Sequence, residues 1–375
     1  RSLDRGERSG ARLMASNGWG GSSVGLAAWR DDVRETVREH VDQFVRGECA
    51  TRLGDAGVAV AGDLLCRFLE GGKYVRSTFM YLGWLCGAED DDAALRASAS
   101  LELLHAFALM QDDVMDGSPM RRSAPAAHVV FARWHSERGL AGSAQRFGES
   151  AAVLLGDLCL VWAEEMLRRS GVGEHALARV WPRYDAMRTE LAIGQFCDLV
   201  NSCHTYPTLD EVLDVLRRKS GNYTVRRPLE IGAAMAGCRR GVLDALSGYG
   251  SAIGEAFQLR DDILGVFGSP SLTGKPTGTD MEDHKATSVI VAAYEMADPG
   301  LRRQLADLMN TPVLDAAAVE RWRNLIVASG AVQRIEDLIA DRHAEALSHL
   351  ERADIPERPR AALADMAVAC TQRAA

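Results

Sequence analysis

The sequence predicts an all-α fold of roughly a dozen helices. Three observations carry that reading. Apolar residues recur with a period near 3.6, apolar-polar alternation between turn residues is missing, and glycines and prolines gather at a few breaks. Taken in order, 29–45 sets Val33, Val37, Val41 and Val45 on one face with charges between them. The same spacing predicts helices over about 75–87, 93–116, 144–169, 176–200, 209–219, 243–267, 288–297 and 332–350. The breaks fall at Gly71-Gly72, Gly117 to Pro119, Tyr206-Pro207 and the polar stretch 268–280. That last loop follows a long helix directly, and loops of about a dozen residues in helical domains are more often functional than accidental.

Of the 375 residues 47% are hydrophobic, enough for a buried core, and the net charge is −9. Such a charge argues against nucleic acid or an anionic membrane as the main partner. An anionic ligand must then be held by local positive clusters or by metal ions. The eight cysteines include no CxxC pair and read as thiols in a reducing compartment. The longest apolar stretch, 151–163, carries Asp157 and is too short for a transmembrane segment. Nothing near the N-terminus reads as a signal peptide, so a cytoplasmic protein is expected. With Met14 as the expected start, residues 1–26 are read as a disordered N-terminal extension and 27–375 as one all-helical domain.

Of 43 basic residues only four are lysine: Lys73, Lys219, Lys275 and Lys285. Lysine kept against such an arginine bias suggests sites that need a compact charge on a flexible stem. Two acidic clusters stand out beside them. Asp112-Asp113-Val114-Met115-Asp116 closes a strongly apolar helix, and Asp112 and Asp116 stack on one face. Like charges at that spacing repel unless a cation bridges them, and Mg²⁺ suits carboxylate oxygens. A lone DDxxD is more often a solvated acidic turn, but Arg121-Arg122 follow after a short loop. Acids, loop and arginine pair together suit a metal-bound polyphosphate. The second cluster, Gln258 to Asp262, again ends an apolar helix, with Gln258 and Asp261 on one face. Lys275, Thr279, Asp280, Asp283 and Lys285 come next. Buried carboxylates need partners, and no histidine or cysteine cluster offers a zinc-type alternative. Two facing carboxylate sets therefore imply several Mg²⁺ ions on a diphosphate. Gly71-Gly72-Lys73-Tyr74-Val75-Arg76 adds a weaker phosphate signal without P-loop spacing, and Lys219-Ser220 a weaker one still.

In this order the motifs resemble those of the trans-isoprenyl diphosphate (polyprenyl) synthases, over about residues 29–350, and look most similar to actinobacterial geranylgeranyl diphosphate synthases. The resemblance implies a helical bundle around a central apolar cavity, the isoprenoid synthase type, and a homodimer. It matches Asp112, Asp113 and Asp116 to the first aspartate-rich motif, and Gln258, Asp261 and Asp262 to the second. It matches Arg121 and Arg122 to the arginine pair, Lys73 and Arg76 to the Gly-Gly-Lys element, and His105 to an upstream histidine. Gln195 and Asp198 match a Gln-x-x-Asp pair, Lys219-Ser220 a Lys-Thr pair, and Lys275 and Lys285 the late lysines. The sequence departs from the pattern at Gly265, where many members carry aspartate, and at Ser123, Ser77 and Tyr74.

The implied reaction joins isopentenyl diphosphate to an allylic prenyl diphosphate through an allylic cation. Mg²⁺, implied at three ions per site, falls to Asp112, Asp113, Asp116, Asp198, Asp261 and Asp262. Arg121, Gln195, Lys219, Gln258 and Lys275 fall to the allylic diphosphate. Lys73, Arg76, His105 and Arg122 fall to isopentenyl diphosphate, and the released diphosphate can take the proton. The residues before Asp112, Leu104, Phe107 and Ala108, are expected to floor the tail cavity. A large Phe107 beside a small Ala108 resembles C20 producers; C15 (farnesyl) and C25 (farnesylgeranyl) products are the alternatives. A class I terpene cyclase holds one diphosphate and would not need the four residues assigned to the second. A regulatory subunit would be expected to lose the acidic motifs.

Overall fold

The structure, a computed structural model, describes residues 23–202, 207–268, 281 and 285–372. Lys275, Thr279, Asp280 and Asp283 lie outside the described residues. Packing gathers into two compact units, one of residues up to Val180 with Gly232–Gly237, the other of Trp181–Ile231 with the residues from Cys238 onward.

The first unit opens with α1 (Ser23–Glu48), so residues 23–26 of the expected extension are helical. Trp29, Val33, Val37, Val41 and Val45 repeat every four residues along it, and each is at most 2% exposed. Each buried valine contributes roughly 1.5 kcal/mol, enough to hold a helix whose other faces are charged. Next come α2 (Ala59–Leu69), α3 (Val75–Leu85), α4 (Asp92–Met115), α5 (Ala127–Glu137), α6 (Ala144–Arg168) and α7 (Glu174–Ser202), which runs into the second unit. Asp91 starts α4 by accepting a hydrogen bond from the Ala94 N–H at 3.0 Å. This helix is long and apolar enough to cross a membrane, but 67% of its most apolar window is buried. A helix apolar on nearly every side belongs in a core, and α1, α3 and α6 pack around it.

The sequence predicts no strand, and here the structure differs. β1 (Met120–Arg121) and β2 (Ala124–Pro125) pair antiparallel, Met120 opposite Pro125 and Arg121 opposite Ala124. Arg122 and Ser123 form the turn with φ of 51° and 62°. Two successive left-handed residues match the twist of a tight hairpin, so the arginine pair sits on a built corner.

In the second unit, α8 (Leu209–Leu216) starts at a reciprocal cap between Thr208 and Glu211. It continues through a π-helical segment, Arg217–Arg226, into α9 (Arg227–Met235), whose residues from Gly232 belong to the first unit. Then come α10 (Arg240–Phe267), α11 (Ser288–Met296), α12 (Pro299–Met309), α13 (Ala316–Ala328), α14 (Ala331–Arg352) and α15 (Glu357–Thr371). Trp322 and Ile326 of α13 and Ile335 and Ile339 of α14 share a core with Leu259 and Ile263 of α10.

Candidate active site

In the first unit, Asp112 and Asp113 lie in the last turn of α4 and Asp116 caps it. No basic residue stands in that last turn. A helix C-terminus already carries partial negative charge, so three carboxylates there create a strong demand for cations. The sequence places Asp113 among the metal ligands, and the structure pairs it with Arg121. Its side chain is 0% exposed, and Arg121 Nε donates to Oδ1 at 3.0 Å and to Oδ2 at 3.1 Å. A guanidinium N–H of Arg121 donates to Oδ1 as well and lies 3.7 Å from Asp112 Oδ2. Burial works against the Arg121 charge, but the Asp113 carboxylate together with Asp112 and Asp116 outweighs it and keeps the guanidinium more firmly protonated than usual.

Among the described residues no three His, Cys, Asp or Glu side chains are grouped to hold an ion by themselves. Asp112 and Asp116 offer two carboxylates on one face. That fits Mg²⁺, which binds through one or two carboxylates and takes its other oxygens from phosphate and water.

A small pocket with one arginine lies on the same unit. Phe68, Gly72, Glu102, His105, Leu109 and Arg122 line a cavity of about 10 Å³. Gly71 has φ of +75° and Tyr74 a left-handed φ of 51°, and the Tyr74 hydroxyl donates to the Leu69 carbonyl at 3.1 Å. These bends bring the loop past exposed Lys73 into α3, where Arg76 follows Lys73 by three residues. Burial first, then Arg76, Arg122 and Arg121, hold the His105 imidazole well below its ordinary range. It therefore stays neutral at physiological pH and offers one N–H donor. Leu104, Ala108 and Asp112 follow at four-residue spacing along α4; Leu104 is 0% exposed, and Phe107 and Ala108 are partly buried.

In the second unit, Lys219 Nζ donates to Asp198 Oδ2 at 2.6 Å. Gln195 precedes Asp198 by one turn of α7. Sequence reasoning missed why Lys219 can sit so close. A Cβ on Gly194 would lie 2.5 Å from the Lys219 N and 2.6 Å from its Cα. On the other side, a Cβ on Gly254 would meet the Gly221 carbonyl oxygen at 2.5 Å, and one on Gly250 the Arg226 Cα at 2.5 Å. The π-helical segment is thus seated between α7 and α10 on glycine notches, and π geometry is frequent at functional sites. Glycines inside helical patterns were the available signal.

The second aspartate cluster also divides. Asp262 Oδ2 accepts from the Ser288 N–H at 2.9 Å and its hydroxyl at 2.5 Å, anchoring the start of α11. Asp262, expected among the metal ligands, thus uses one carboxylate oxygen to hold a helix start. Gln258 and Asp261 stand one turn apart on α10, both partly exposed. Arg260 turns away, pairing with Glu336 at 2.6 and 2.7 Å and the Thr371 carbonyl at 2.8 Å.

Residues 62–326 match the polyprenyl synthetase family. The chain belongs to that family. It is a prenyl diphosphate synthase, a trans-prenyltransferase, with the all-helical isoprenoid synthase fold. A geranylgeranyl pyrophosphate synthase from Corynebacterium glutamicum, solved with isoprenyl diphosphate and magnesium, is 36% identical with a TM-score of 0.87, over 92% of this chain and 99% of that one. The geranylgeranyl diphosphate synthase of Mycobacterium tuberculosis is 33% identical over 262 residues, 69% of each chain. The (2E,6E)-farnesyl diphosphate synthase of the same organism is 31% identical over 299 residues, 79% of this chain and 78% of that one. Family members of nearly equal identity are thus named for products of different length.

Proposed function

We propose that the chain condenses isopentenyl diphosphate with allylic prenyl diphosphates, with Mg²⁺, and stops at the C20 product geranylgeranyl diphosphate. One observation carries the reading. Helix α4 ends in a carboxylate pair suited to a metal-bound diphosphate and, seven residues before Asp112, presents His105 to a separate small pocket with Arg122. This arrangement supports a reading with two diphosphates, where a cyclase acting on one needs a single site.

The costly event is separating an allylic cation from a diphosphate of about −3 charge, and preorganised charge acts where that charge develops. Mg²⁺ held by Asp112 and Asp116 would neutralise the leaving diphosphate as its C–O bond breaks. Arg121, fixed by Asp113, presents its guanidinium to the same group; Lys219, Gln195, Gln258, Asp198, Asp261 and Lys275 are proposed for the allylic diphosphate and its ions. Lys73, Arg76, His105 and Arg122 hold isopentenyl diphosphate so that its double bond meets the cation. No protein base is needed, because the released diphosphate accepts the proton. Apolar side chains above Asp112 exclude water from the cation.

Chain length rests on Phe107 and Ala108. A bulky side chain at one and a small one at the other leave room for a tail of intermediate length. Phe107→Ala is expected to move the main product beyond C20, read by chromatography of dephosphorylated products; unchanged length would remove Phe107 from the floor. Supplying isopentenyl diphosphate with dimethylallyl, geranyl or farnesyl diphosphate tests the C20 reading itself. All three primers should end at C20, and dominant C15 or C25 products would replace it.

The apolar side chains on the outer face of α6 support a homodimer. Leu154 is 68% and Val161 57% exposed, two turns apart on one face. Sizing by light scattering should give twice the 40.7 kDa chain mass; a monomer at micromolar concentration would refute the pairing.

A further inference from the structure

Glu102 is an acid buried beside a pocket assigned to an anion. It is 6% exposed and lies on α4 one turn before His105, so both face the same side. With His105, Arg122 and Gly72 it lines the small cavity of the first unit. The Ser77 hydroxyl, on the residue after Arg76, donates to Glu102 Oε1 at 2.6 Å. Burial pushes the Glu102 carboxyl up, against the pull of Ser77, Arg76 and Arg122. An acid so placed costs folding energy and weakens the positive field on an incoming diphosphate. Its position among these cations is what such a cost can serve.

We propose that Glu102 is a positioning residue for the isopentenyl diphosphate subsite, holding Arg76 and Arg122 from behind so that both guanidinium groups meet the same diphosphate. The inference rests on the function proposed above and adds a residue to it. Arg122 lines the pocket from a hairpin turn, and Arg76 stands on the first turn of α3 beside Ser77, whose hydroxyl holds Glu102, so the two arginines come from separate elements. A shared carboxylate fixes both, and planar guanidinium groups reward fixed orientation with directed hydrogen bonds.

The test compares Glu102→Gln, Glu102→Asp and the unaltered chain in initial-rate assays. Glu102→Gln keeps shape and removes charge. It should raise the KM for isopentenyl diphosphate about tenfold or more, the scale of a lost charge-assisted hydrogen bond. The KM for the allylic substrate should stay within twofold. Glu102→Asp should restore part of the affinity, and calorimetric titration with isopentenyl diphosphate alone should follow the same order. An isopentenyl KM within twofold of the unaltered chain, or both KM values rising together, would overturn the assignment. Should Glu102→Gln lose its helical circular dichroism, Ser77→Ala decides: a rise of about threefold in the isopentenyl KM alone supports the proposal, and none contradicts it. An unaltered chain that incorporates no isopentenyl diphosphate sinks the proposed function instead, a result distinct from every outcome for Glu102.

Discussion

Asp112→Ala is expected to lower turnover by about a thousandfold or more while the helical circular dichroism stays intact. Two effects act in opposite directions. Removing a carboxylate from the C-terminal turn of α4 relieves repulsion with Asp116 and with the helix dipole, which offsets the lost 3.7 Å approach to Arg121 and leaves stability little changed. The same removal breaks the pair that fits Mg²⁺, leaving the developing diphosphate charge uncompensated. Stability and activity should therefore part company. Near-native turnover in a folded Asp112→Ala protein would refute the metal assignment, and a large loss of stability would refute the view that Asp112 faces outward for function.

Arg121→Ala should do the reverse at the neighbouring position and damage both. Its partner Asp113 is 0% exposed and takes both Nε contacts from this one side chain. Breaking a buried pair by removing one member leaves an uncompensated charge, at a cost of about 3–5 kcal/mol. Urea unfolding of the variant measures that loss. Adding Asp113→Asn to Arg121→Ala should return part of the stability, because a neutral amide no longer needs a cation. It should not return activity, since no guanidinium is left to meet the diphosphate. Equal stability of Arg121→Ala and the unaltered chain would mean that Asp113 finds another cation.

The long helices were legible because their apolar residues continue over many turns: 29–45 lies within α1, and 93–116 coincides with α4 to within one residue at each end. Shorter ones escaped. α12 and α13 span only 11 and 13 residues, few turns for the Leu301-Leu305-Leu308 and Val319-Trp322-Ile326 spacings to stand out, but Asp298-Pro299 and Asp315 were readable starts, and both aspartates do accept hydrogen bonds from first-turn N–H groups. The hairpin at Arg122 was hidden because nothing in Arg-Arg-Ser announces two left-handed residues, a conformation usually supplied by glycine or asparagine.

Within the site, residue types were readable and their division of labour was not. A DD pair looks like two equivalent ligands in sequence, but one helical step rotates its second member by about 100°. That step turns Asp113 into the interior toward Arg121. Asp262 likewise turns to Ser288, on a helix 26 residues further along the chain. Glu102 carries no signal in the sequence, because Ser77, which hydrogen-bonds it, and Arg76 and Arg122, whose charges act on it, come from distant sequence.

The most direct test of two diphosphates served by one metal-dependent centre is a single incubation of the full chain with labelled isopentenyl diphosphate and geranyl diphosphate. With Mg²⁺ present, label should enter longer prenyl diphosphates; with EDTA or without the allylic primer, it should not. Label left wholly in the starting diphosphate despite Mg²⁺, or a cyclic hydrocarbon formed when isopentenyl diphosphate is omitted, would contradict the account.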